Sequence, residues 1–229
     1  MVPRFQANQT IAFDLDGVLL DSAEFIESSL RRALEVNGVS IRPGTKVFSL
    51  IGEPLPSLIR LVSDSPISSD LLHRCIMTYR KINNTPSQSD LKIYPEVFET
   101  LTVCSRSYRL CVLTSKLERS AIQQLQILGL SKFFVTVFGT KSDRAPTSKG
   151  QRWIEADLEL VRLGYSSISV LIGDRESDVK AAKQNEKLSI GALWGYGSES
   201  ELERAGPDAI ARFPREIPDL LHRLLSSGA

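Results

Sequence analysis

The sequence predicts an α/β protein: a Rossmann-like parallel sheet with helices on both faces, plus a small all-helical unit inserted after the first strand. Three observations carry this. From Tyr94 onward, short apolar runs alternate with helical periodicity, the pattern of a parallel sheet with right-handed crossovers. One further apolar run, residues 10–13, stands apart near the N-terminus. Between the two, residues 21–91 show helical spacing and no strand pattern.

In order, Thr10-Ile11-Ala12-Phe13 reads as a buried strand, rich in β-branched and aromatic residues. Asp14 and Asp16 follow where apolar character stops, and Gly17 lets the chain turn. Asp21 with Glu24 suggests a helix N-cap and its capping-box partner. Helical spacing runs from Phe25 to Leu34 and stops near Asn37-Gly38. Residues 47–50 and 55–62 read as short helices around Gly52, Pro54 and Pro56. Ser69 or Asp70 caps a third, longer helix, which ends at Asn83-Asn84-Thr85-Pro86. Beyond Tyr94-Pro95, helices are expected over 97–105, 121–128, 151–163, 178–184 and 218–225. Strands are expected over 109–115, 133–138, 169–174 and 188–193, with a short last one over 208–211. This divides the chain into a core, 1–20 and 92–229, and a helical cap, 21–91.

The 229 residues, 42% hydrophobic and 24% charged, suffice for one large or two modest domains. A net charge of +1 gives no electrostatic case for nucleic acid or an acidic membrane surface. Cys75, Cys104 and Cys111 form neither a zinc pattern nor a disulfide framework, and suit a reducing cytosol. The polar N-terminus, residues 1–6, does not read as a signal peptide, and no apolar run reaches membrane-spanning length. A cytoplasmic protein, monomeric or homodimeric, is expected.

Four signals carry chemistry, each at a strand end or helix start. They are Asp14 with Asp16; Thr114-Ser115; Lys149; and Gly173-Asp174 with Asp178 one helical turn on. Singly, each has an ordinary reading. Asp14 and Asp16 can cap a turn, Thr114 can simply end a strand, Lys149 can be an exposed helix-start lysine, and Asp174 can cap the next helix. Their order sets them apart. Carboxylates gathered at the carboxyl ends of buried strands call for a positive partner, and a hard cation with oxygen ligands serves.

This ordered set resembles the four motifs of the haloacid dehalogenase-like (HAD) hydrolases, in the phosphoglycolate phosphatase-like branch. The resemblance covers nearly the whole chain. It implies a Mg²⁺-dependent phosphatase acting on a small phosphorylated metabolite, with phosphoglycolate as the candidate substrate. Asp14 would be the nucleophile, forming an acyl phosphate, and Asp16 the general acid/base. Asp14, the Asp16 carbonyl and Asp174 would hold the metal, with Asp178 either a direct ligand or a group that supports the ligands. Thr114, the backbone N–H of Ser115, and Lys149 would bind the phosphate. Four departures stand out: Val18 where many members have Thr, Gly150 for Pro, Glu96 for the Gly of a Tyr-Pro-Gly linker, and Arg175 where Ser or Thr is frequent. A β-phosphoglucomutase-like transferase shares all four motifs, and a non-catalytic phosphate-binding module shares the fold. A mutase needs a cation in its cap for a second phosphate. Residues 52–57 offer no Lys or Arg, and Arg60 lies a turn further, so release of inorganic phosphate is expected.

Overall fold

The computed structural model describes residues 9–84, 86, 88–141 and 148–226. Residues 1–6 and Thr85, at the expected end of the third helix, lie outside the described residues. The chain runs β1 (Thr10–Phe13), β2 (Leu20–Asp21), α1 (Ala23–Val36), a 3₁₀ turn (Val47–Leu50), α2 (Leu55–Val62), α3 (Ser69–Asn83) and β3 (Lys92–Ile93). It continues through α4 (Val97–Cys104), β4 (Arg109–Leu117), α5 (Glu118–Ile127), β5 (Phe134–Thr140) and α6 (Lys149–Arg162). Then come β6 (Ile168–Gly173), α7 (Glu176–Gln184), β7 (Leu188–Ala192), α8 (Glu199–Ala205), β8 (Ala209–Ala211) and α9 (Ile217–Ser226).

Six strands form one sheet in the order β5-β4-β1-β6-β7-β8, every pair parallel. The strand order reverses beside β1, and the crevice at that switch point is where open α/β sheets bind ligands. Side chains alternate across the sheet. Ile11 and Phe13 face α4, α5 and α9 through Leu101, Leu125 and Leu221. Ala12 and Leu113 face α6 and α7 through Trp153, Leu160 and Ala181. Both faces are thus covered, which is why the strands read as continuous apolar runs. Cys75, Cys104 and Cys111 are all buried and unpaired.

The inserted helices α1–α3 pack around an apolar cluster of their own, with Leu30, Leu34, Ile59, Leu72 and Tyr79 at its centre. Three details differ from expectation. The segments leading in and out of the helical unit are not plain linkers. They pair as an antiparallel ribbon, Leu20 with Ile93 and Asp21 with Lys92. Asp21 therefore belongs to a strand, and Ser22 takes the N-cap position without a side-chain cap bond. Glu24 pairs instead with exposed Lys92 at 2.8 Å. The third helix is capped by Ser68, whose hydroxyl accepts from the Leu71 N–H at 3.3 Å, rather than by Ser69 or Asp70. Helix α8 was not expected; its signals are the Ser198 cap, which accepts from the Glu201 N–H, and Gly206 at its end.

Candidate active site

β1 delivers Asp14 one residue past its end, where its N–H still donates to the Ile172 carbonyl at 2.9 Å. β6 delivers Asp174 beside it, and the first turn of α7 adds Asp178. Together Asp14, Asp174 and Asp178 place carboxylate oxygens within 4.8 Å of one another, all three residues buried. Lys149 starts α6 under a Ser148–Gln151 capping box. Its Nζ lies 2.7 Å from Asp14 Oδ2 and also donates to Asp178 Oδ1. It is therefore not the exposed lysine that helix starts usually carry.

Burial pushes the Asp14 carboxyl up to about 6, against the pull of Lys149 and with Asp178 adding to the rise. Burial, then Asp178 and Asp14, hold Asp174 well above the usual carboxylate range. Burial works against the charge of Lys149, yet Asp14 and Asp178 together keep its pKa above the ordinary lysine value. Lys149 thus pairs with two of the three buried carboxylates, and Arg152 lies within electrostatic range of Asp14. Asp174 Oδ2 accepts from the Tyr196 N–H at 2.7 Å, but its Oδ1 is buried with no hydrogen-bond partner among the described residues. An orphaned buried acceptor among oxygen-only donors fits a hard divalent cation such as Mg²⁺. Gly17 matches this crowding: it has φ +88°, and a Cβ there would come within 2.2 Å of Asp174 Oδ2.

The Asp16 side chain points away from this cluster. Its Oδ1 accepts from the Ser22 hydroxyl at 2.5 Å, and Lys116 Nζ donates to both oxygens at 2.9 and 3.0 Å. Thr114 is buried, and its Oγ1 accepts from the Lys116 N–H at 3.2 Å. Asp14, Asp16, Thr114 and Ser115 line one pocket of about 60 Å³, closed from the helical side by Gly52, Leu55, Tyr79 and Arg80 among others. Lys149 lines an adjoining cavity with Ser115.

Four residues at or near the site were not singled out for these roles. Lys116 was legible as the residue after Thr114-Ser115, on a strand that runs two residues past the hydroxyls to Leu117. Arg80 enters from α3, far from any motif. Tyr196 receives the Ser22 N–H at 2.8 Å and so fastens the loop after β7 to the start of α1. Arg175, noted only as a departure, donates to the Ile51 carbonyl and pairs with Glu201 at 2.9 Å, which joins the sheet unit to the helical one.

This sheet, this insertion and these ordered acids define a known class, and comparison with known proteins places the chain in it. Residues 11–191 match the family model described as haloacid dehalogenase-like hydrolase; the chain belongs to that family. It is similar to the "Phosphoglycolate phosphatase" of Agrobacterium fabrum, 30% identical over 227 residues that cover 95% of this chain and 94% of the relative. It is also similar to the "Probable phosphatase IndB" of Dickeya dadantii, 27% identical over 219 residues and 94% of both chains. Among solved structures, a predicted phosphatase from Clostridium acetobutylicum superposes with a TM-score of 0.80 at 26% identity, covering 96% of this chain and all of that one.

Proposed function

We propose that this HAD-like phosphatase hydrolyses a small phosphorylated metabolite with Mg²⁺, through a phosphoryl group carried on Asp14. The observation that carries the reading is the meeting of Asp14 and Asp16 in one pocket beside a buried carboxylate cluster with an orphaned acceptor. Asp14, Asp174, Asp178 and the Asp16 carbonyl would hold Mg²⁺, which would neutralise charge between the phosphate dianion and these carboxylates.

Asp14 is fixed for attack. The Leu15 N–H donates to Oδ1 at 2.7 Å and Lys149 binds Oδ2. Nucleophilic attack splits hydrolysis into two displacements, of the alcohol and then by water. Asp16 gives its proton to the departing alkoxide and takes one from water in the second step; Lys116 and Ser22 orient it. Thr114, the Ser115 N–H and Lys149 donate to the phosphoryl oxygens from fixed positions. The helical unit, residues 21–91, acts as a cap that closes over the pocket about the β2–β3 ribbon and excludes water during transfer. Its pocket-facing residues, among them Glu53 and Leu55, select the substrate. The buried, unpaired cysteines support a reducing, cytoplasmic setting.

The expectation that the cap offers the pocket no cation needs correction. Arg60 is exposed on α2, but Arg80 lines the pocket. The case against a mutase cannot rest on a missing cation; hydrolysis rests on the relatives, which are named as phosphatases.

The test is release of inorganic phosphate from p-nitrophenyl phosphate. Turnover is expected with Mg²⁺ and lost in EDTA. Asp14→Asn is expected to lower kcat at least about 10³-fold, as loss of a covalent nucleophile does. Full activity in EDTA, or a near-wild-type kcat in Asp14→Asn, overturns the mechanism.

A further inference from the structure

The catalytic pocket is small, about 60 Å³, and Ile51 and Gly52 of the helical unit form part of its wall. They sit in the turn between the 3₁₀ turn and α2. Ile51 is 2% exposed and packs with Ala23, Ile26 and Tyr196. Nearby, Phe48 meets the Tyr196 ring edge-on, with centroids 5.1 Å apart. These contacts are apolar. They keep the turn near the sheet unit but fix its position only loosely, because burial of apolar surface has no direction.

One directional contact crosses this seam. Among the described residues, the bond from Arg175 Nη1 to the Ile51 carbonyl is the only hydrogen bond that ties residues 47–58 to the sheet unit. Arg175 is itself held from behind. Its Nε donates to Glu201 Oε1 at 2.9 Å, and the same oxygen accepts the Glu176 N–H at 2.9 Å. Its backbone N–H donates to Asp178 Oδ2 at 3.0 Å. The guanidinium thus reaches the turn from a fixed base at the start of α7. The stem touches the turn as well: a Cβ on Gly52 would lie 3.4 Å from Arg175 Cγ. Arg175 lines the adjoining cavity of about 360 Å³, with Gly52 and Glu201, rather than the catalytic pocket.

We propose that Arg175 is a positioning residue for the phosphatase reaction: it fixes the Ile51–Gly52 wall where that wall completes the catalytic pocket. The inference rests on the phosphatase reading above. A planar guanidinium suits the task, because one nitrogen serves Glu201 while another serves the carbonyl; an ammonium is a single point and cannot span both in the same way. Without the bond, the turn spends less time in place. Substrate binds only the fraction of molecules in which the wall is set, so apparent affinity falls by that fraction. The acids and phosphate donors of the sheet unit are untouched once substrate is bound, so kcat is kept.

The experiment compares wild type, Arg175→Met and Arg175→Lys in two measurements. The first is KM and kcat on p-nitrophenyl phosphate with Mg²⁺. The second is amide hydrogen exchange, without substrate, at Ile51 and Glu53, whose N–H groups donate within the turn to the Phe48 and Leu50 carbonyls. In Arg175→Met, KM should rise about ten-fold, the worth of a hydrogen bond to a charged group, with kcat within about two-fold of wild type. Exchange at Ile51 and Glu53 should quicken by a similar factor while the middle of α3 stays as in wild type. Arg175→Lys should recover part of both effects. A general loss of structure would instead speed exchange across α3 and the sheet. Should Arg175→Met fail to fold, Glu201→Gln keeps an acceptor for the Glu176 N–H, loosens the base of Arg175, and should raise KM and turn exchange by about three-fold. If wild type hydrolyses the ester and the folded variants match it in KM and in turn exchange, or lose kcat with KM unchanged, this inference alone fails. If wild type hydrolyses no ester, the phosphatase reading fails and takes this one with it.

Discussion

Lys149→Met removes the cation that pairs with two of the three buried carboxylates and keeps most of the side chain's length. The Lys149 side chain is 5% exposed, and its Nζ bridges Asp14 and Asp178. Taking one partner from a buried charge cluster costs about 3–5 kcal/mol, because the remaining charges stay in a poor solvent. For a chain of this size each kcal/mol moves the melting temperature by about 2–4 °C, so a fall of about 6–20 °C is expected in EDTA. Mg²⁺ binds the folded state alone and opposes the loss; at a hundred times Kd it returns about 2.7 kcal/mol. Acid should also narrow the gap. Above about 6 the Asp14 carboxyl is ionised in folded and unfolded chains alike, and burying its charge counts against folding. As pH falls through about 6 the folded protein takes up a proton that the unfolded chain, with its model value of 3.8, does not, and folding gains. Without Lys149 this gain begins at a higher pH. The assay is a thermal melt of wild type and variant at pH 7.5 and 5.5, each in EDTA and in Mg²⁺. A variant melting within about 2 °C of wild type in EDTA at pH 7.5 would refute the idea that Lys149 is what allows these acids to be buried together.

Two further variants probe how the site is supported. Gly17→Ala forces a Cβ into Asp174 at a φ of +88°. It should cost about 2–5 kcal/mol from left-handed strain and overpacking, and turnover should fall at least about 100-fold if the proposed metal ligand Asp174 is displaced; normal Mg²⁺ dependence and near-normal kcat would show that Asp174 does not bear on the reaction. Tyr196→Phe leaves the buried Ser22 N–H without its acceptor, and should lower the melting temperature by about 2–12 °C for a loss of 1–3 kcal/mol; an unchanged melt would mean that another group takes up that N–H.

The sheet was legible because its strands are covered on both faces. Residues 10–13, 109–115 and 169–174 each form one apolar block that ends in a chemically distinct residue, and the blocks occupy adjacent places in the sheet. Elements that depend on a distant partner were not legible. The β2–β3 ribbon is only two residues on each side and exists because Leu20 meets Ile93 across the whole inserted unit. Helix α8 is two turns long, between a glycine-rich loop and Gly206, and its periodicity is too short to register.

The two ends of the site divide along the same line. Asp14, Asp16, Thr114, Lys149, Asp174 and Asp178 sit within a few residues of a strand end or a helix start, so local sequence places each of them and the sheet then brings them together. Residues that touch the outer part of the pocket obey no such rule. Arg80 lies near the end of a fifteen-residue helix, four residues after Ile76 and so at the edge of its buried face, whereas Arg74 and Lys81 fall on the opposite, exposed face. Arg80 is buried, and it lines a space between α3 and the end of β4. The phosphoryl chemistry needs fixed groups at fixed strand ends, and that requirement writes a pattern into the sequence. On the proposed reading, recognition of the leaving group needs only a suitable side chain somewhere on the facing helices. Many positions on α1–α3 satisfy that, so substrate choice can move among them while the catalytic acids stay where the sheet puts them.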